Sequence, residues 1–136
     1  MRERKEKIAQ RELAEAISRR SSTVAELRTA EDRAENAREQ QRSAGESIAI
    51  SAVDLLAHQL YVERTEAQQR TRARELEQRE AEVAQRDADL TTASTEHQML
   101  ERLRERRRSE HAREDMRREA GALDEIAAAR FSRSRA

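Results

Sequence analysis

Residues 55–90 read LLAHQLYVERTEAQQRTRARELEQREAEVAQRDADL, and within them Leu55, Val62, Leu76, Val83 and Leu90 fall on one strict seven-residue column. Only Gln69 and, further on, His97 interrupt it. Seven residues are close to two helical turns, so the column keeps one apolar stripe on one side of a helix. Holding that stripe against a partner helix requires left-handed supercoiling. A charged content of 41% with 1% aromatic residues would also suit a disordered chain, but disorder gives no reason to keep the column. The stretch is therefore read as one strand of a coiled coil.

Upstream of the column, Ser43-Ala44-Gly45-Glu46-Ser47 combines a glycine with two serines, and Ile48 and Ile50 then break phase with everything before them. These are turn signals. They predict the bend of a helical hairpin over about residues 43–50, with Ser51 or Asp54 capping the helix that follows. Before the bend, Leu13, Ile17, Val24, Leu27 and Ala34 step by four, seven, three and seven, which is an a/d seam with alanine in its thin places. Glu15 and Arg19 stand at the favourable i,i+4 spacing within it. Helix one is thus expected over about 2–42.

Downstream of Leu90 the phase slips. Met99, Leu100 and Leu103 form a local cluster, and Met116, Leu123 and Arg130 begin another column at spacing seven. Helix two is expected from about 51 to about 130, with a frayed tail over 131–136, all within a single domain of 1–136. The two arms are unequal. At 1.5 Å per residue they span roughly 60 Å and roughly 110 Å, so a folded-back helix one covers only the first half of helix two. Residues from about 100 to 130 are left without a partner in their own chain, and their apolar side chains face water for no gain. The expected fold is all-α, a long antiparallel two-helix coiled-coil hairpin.

Composition excludes several classes of function. The chain has 136 residues, 0 Pro and 2 Gly, and its net charge is +0 from 28 basic and 28 acidic residues. A mean hydropathy of -1.13 and a hydrophobic fraction built largely of alanine leave no conventional globular core. Cysteine is absent, so no disulfide or thiolate chemistry is possible. No apolar run is long enough to insert in a membrane, and Met1 to Lys7 lacks a signal-peptide core, which points to the cytosol. There is no Gly-rich phosphate loop and no nucleophile motif, so no enzyme and no cofactor are expected. His58, His97 and His111 are never three or four residues apart, so no metal site is expected either. The run Arg102, Arg104, Arg106, Arg107, Arg108, Arg113, Arg117 and Arg118 invites a nucleic-acid reading. Glutamates are threaded through it and no aromatic offers base stacking, so a solvated flank is preferred and no nucleic acid is expected.

Met99-Leu100-Glu101-Arg102-Leu103-Arg104-Glu105-Arg106, then Glu119, then Leu123-Asp124-Glu125-Ile126-Ala127 with Arg130 following, resembles the C-terminal signature of the flagellar FliJ family. The stretch from Ser51 to Val62 is similar to that family's segment after its hairpin tip, where an aromatic sits among aliphatics. Gly121 and Ala122 depart from the polar helix formers the family favours there. The resemblance implies an antiparallel coiled coil like the central stalk of rotary ATPases, cytoplasmic and peripheral at the cytoplasmic face of the flagellar base. It implies a part in flagellar type III export: binding the export ATPase ring and promoting its assembly, touching the cytoplasmic domain of the export gate, and handling export chaperones.

Two groups of residues are singled out for those contacts. Leu56, Leu60 and Tyr61 depart from the strict column and make an apolar group wider than a seam needs, expected to meet the gate. The competing reading is local packing at the bend. Leu103, Met116, Leu123, Asp124, Glu125 and Ile126 lie in the unpaired end, expected to meet the ATPase. A homodimer seam competes there. The chain is expected to be monomeric; the rival functions are the stalk of a virulence secretion system and a homo-oligomeric spacer.

Overall fold

Ala, Glu, Arg, Gln and Leu dominate the chain, and these residues lose little on entering a helix. The computed structural model describes residues 2–135, with side chains from Arg4 to Arg135. It consists of α1 (Arg2–Gly45) and α2 (Ala52–Arg135), with no strand among the described residues. Their contacts divide the chain into two units, residues 3–93 and residues 94–135, and α2 runs through both. Met1 and Ala136, the ends of the single domain read from the sequence, lie outside the described residues.

The first unit is an antiparallel helical hairpin. Its register is written in four cross-helix ion pairs: Glu12 with Arg86 at 3.1 Å, Arg19 with Glu82, Glu26 with Arg72 at 3.0 Å and Arg38 with Glu66 at 2.9 Å. The partner's number falls as that on α1 rises, as antiparallel pairing demands. All these side chains remain partly exposed, so each pair contributes no more than about 1 kcal/mol and serves register more than stability. Arg19, expected to pair with Glu15 inside its own helix, reaches Glu82 instead because α2 brings that carboxylate alongside.

The seam differs from its expected composition. On α2 the column is in place: Val62 is buried, and Gln69, Leu76, Val83, Leu90 and His97 are half-buried, while Leu55 at the bend is exposed. On α1 the buried column is Ala9, Ala16, Thr23, Ala30 and Ala37, one residue every seven, joined by Ala34. Leu13, Val24 and Leu27 are half-buried beside it, but Ile17 is 46% exposed and is no seam residue. Small side chains are the ones fully covered because the helices approach closely. Ala16 and Ala34 are 0% exposed, and among the described residues no large side chain is fully buried. The two buried threonines satisfy their hydroxyls within their own helices, Thr23 Oγ1 donating to the Arg19 carbonyl at 3.0 Å and Thr65 Oγ1 to the Val62 carbonyl at 2.9 Å.

Three residues beyond each α2 column position of the hairpin stand His58, Thr65, Arg72, Arg79, Arg86 and Ala93. The three arginines send their guanidinium groups to Glu75, Glu82 and Asp89 on their own helix, and Arg72 and Arg86 also reach across to Glu26 and Glu12 on α1. Glu82 receives both Arg19 and Arg79. The Arg19 hydrogen bond, with Arg79 adding to it and partial burial opposing it, holds its carboxyl below the ordinary value of 4.5. A carboxyl whose pKa is depressed on folding adds stability above its unfolded value and loses it as pH falls through the folded one. The melting temperature should therefore hold steady above pH 4.5 and drop on further acidification, with Glu82→Gln flattening part of that drop in circular-dichroism melts. Superimposable acid profiles for the two chains would contradict this.

Both helix ends extend past their expected limits. Residues 43–45 stay helical, held by Glu46 N–H donating to the Arg42 carbonyl at 3.3 Å and by Arg42 bridging Glu39 and Glu46. No glycine has positive φ, so Gly45 ends the helix without a left-handed residue. Residues 131–135, expected to fray, are the last turn of α2. Ser134 Oγ donates to the Phe131 carbonyl at 2.9 Å, and the Arg135 guanidinium lies 4.8 Å from the centre of the Phe131 ring.

Candidate docking surfaces

The bend is built by a cap. Ser51 precedes α2 and its Oγ accepts the Asp54 backbone N–H at 3.1 Å, while its carbonyl accepts that of Leu55, also at 3.1 Å. Asp54 sits in the first turn, where its negative charge suits the helix dipole. Of the two capping candidates, Ser51 is thus the cap.

With α2 started there, its first turns leave an apolar group in water. Leu56 and Leu60 are more than half exposed, Tyr61 is 47% exposed, and Val53 and Ile48 are more open still. Local packing against α1 does not absorb them. Beside the group runs a shallow open groove lined by Gln40, Ile50, Asp54, Ala57, His58 and Tyr61. Ile48 and Val53 extend the expected patch of Leu56, Leu60 and Tyr61; their position at the bend was the available signal.

The second surface belongs to the unit of residues 94–135. Every described residue from Glu101 to Arg135 is exposed. That includes Leu103, Leu123 and Ile126, and Met116 is 69% exposed. Asp124 and Glu125 lie between the last two apolar anchors, exposed like them. Met99 and Phe131 are also exposed and were not singled out. Adding a Cβ at Gly121 would meet nothing within 4 Å, so that glycine answers to no close packing.

The grooves between the helices are open, and in one of them Arg72 is paired with both Glu26 and Glu75. His111 Nδ1 contacts Asp115 Oδ2 at 3.1 Å on the exposed helix, and among the described residues no cluster of histidine and acidic side chains is placed to hold a metal ion. Nor is any helix of the described residues long and apolar enough to cross a membrane.

A family model described as Flagellar FliJ protein matches residues 1–136. No curated protein and no solved structure matches the chain.

Proposed function

Because the chain belongs to the FliJ family of flagellar proteins, we propose that it is a stalk-like component of flagellar type III protein export that works by docking and not by catalysis. It binds the export ATPase ring through the far end of α2 and promotes assembly of that ring. It meets the cytoplasmic domain of the export gate through the bend, and export chaperones dock on the same non-enzymatic scaffold. It acts as a cytoplasmic monomer, peripheral to the membrane at the flagellar base.

The observation that supports the ATPase contact is the uninterrupted exposure of residues 101–135, which include Met116, Leu123 and Ile126. A solitary helix in water is held by propensity alone, and apolar groups along it gain nothing until another surface covers them. ATPase turnover measured with and without the chain tests the reading. Stimulation accompanied by binding is expected, and neither binding nor stimulation would contradict it.

The bend supplies the gate contact. Tyrosine brings a large apolar ring with a polar tip at little entropic cost, which suits an interface anchor. Tyr61→Ala should weaken gate binding by about 1–2 kcal/mol, roughly tenfold, while the helical circular-dichroism signal stays unchanged. Equal affinity of the two chains for the isolated gate domain would remove Tyr61 from the contact.

A further inference from the structure

Residues 94–135 hold more arginine than their own carboxylates take up. Arg104 bonds Glu101 at 3.2 Å and Arg118 bonds Glu114 at 3.4 Å. Arg102, Arg106, Arg113 and Arg117 make no hydrogen bond or ion pair. These four are separated by four, seven and four residues, a spacing that returns each to the same side of an α-helix. Glu110 borders the stripe but bonds to neither Arg106 nor Arg113, and Asp124 ends it seven residues after Arg117.

The same side continues beyond the arginines as Met116, Ala120, Leu123, Ala127 and Phe131, in steps of four, three, four and four. One exposed face is therefore basic over 102–117 and, Asp124 apart, apolar over 116–131. The two characters follow one another along the helix. A helix lying in a bilayer surface needs them on opposite sides, with the apolar side sunk and the basic side toward headgroups. Succession along one face suits a protein groove whose mouth and depth differ in chemistry.

We infer that this face docks on a protein surface presenting carboxylates to Arg102, Arg106, Arg113 and Arg117 and an apolar recess to Met116, Leu123 and Phe131. The inference rests on the ATPase-binding reading of the far end and specifies the chemistry of the partner there: acidic at the mouth, apolar further in. Guanidinium groups pair with carboxylates through two parallel hydrogen bonds, so four aligned arginines can fix the register of the docked helix as well as attract it.

Binding of the full-length chain to the export ATPase, measured at about 50 mM and about 300 mM NaCl, tests this. Glutamine retains helix propensity, so the R102Q/R106Q/R113Q/R117Q chain should keep its circular-dichroism spectrum. At low salt it should bind at least about tenfold more weakly than the unaltered chain, and its affinity should change little with salt, where the unaltered chain loses about tenfold or more. M116S/L123S should weaken binding equally at both salt concentrations. If the glutamine chain binds as the unaltered one does with the same salt dependence, the stripe is not the docking surface, although the ATPase reading stands. If the unaltered chain does not bind the ATPase at all, both fall. If the glutamine chain keeps its ATPase affinity but loses binding to phosphatidylserine vesicles, the arginines serve a membrane and the inference is overturned.

Discussion

Ala16→Leu is expected to destabilise the hairpin by about 1–3 kcal/mol, the usual cost of forcing extra methylenes into a packed site. Ala16 is 0% exposed and lies between Glu12 and Arg19, whose bonds to Arg86 and Glu82 tie this stretch of α1 to α2. A leucine there must push the helices apart and lengthen both ion pairs. Each kcal/mol lowers the melting temperature of a domain this size by about 4–8 °C. The adjacent Ile17 is 46% exposed, so Ile17→Ala should change stability by no more than about 0.5 kcal/mol. The pair separates two accounts of the seam. If the small column sets the approach of the helices, the alanine position is the sensitive one; if large side chains fill it, the isoleucine is. Thermal melts showing Ile17→Ala more damaging than Ala16→Leu would contradict the packing described above.

A chain ending at Met116 is expected to keep the thermal stability of the hairpin and to lose ATPase stimulation, returning turnover to that of the ATPase alone. Stability should survive because, among the described residues, every buried one lies between Ala9 and Thr65. Residues 117–135 are wholly exposed, so their removal opens no cavity and breaks no cross-helix pair. Activity should not survive because Leu123, Asp124, Glu125 and Ile126 go with the deleted segment. Full stimulation by the shortened chain would place the ATPase contact elsewhere. A fall in melting temperature would mean that the deleted segment supports the hairpin.

The fold was legible in α2 because its seam carries large aliphatic residues at one fixed spacing, and Leu76, Val83 and Leu90 have no other use. The bend was legible from Gly45 and Ser51, one ending a helix and the other capping the next. On α1 the large residues misled. Ile17 stands one position past Ala16, and alanine carries too little apolar area to announce itself as core, although it is the residue that lets two helices approach closely. Arg72, Arg79 and Arg86 were hidden by their charge. An arginine reads as solvated until a partner carboxylate is known, and Glu12 and Glu26 become partners of Arg86 and Arg72 only once the register is fixed. Of the candidate contacts, Leu56, Leu60 and Tyr61 stood out because they break the column. The alignment of Arg102, Arg106, Arg113 and Arg117 was obscured by equally frequent arginines on other sides of the helix, two of which pair with a neighbouring glutamate.

The claim on which the rest depends is that a short helix covers only part of a long one and the uncovered remainder is reserved for another molecule. Amide hydrogen exchange on the full-length chain, alone and with the export ATPase, measures this directly. An uncovered helix opens easily, whereas paired helices exchange only through larger openings. Amides over residues 62–90 should be protected in both samples. Those over 101–135 should exchange rapidly in the free chain and become protected when the ATPase is added. Protection of 101–135 in the free chain, or rapid exchange there with the ATPase bound, would contradict the account.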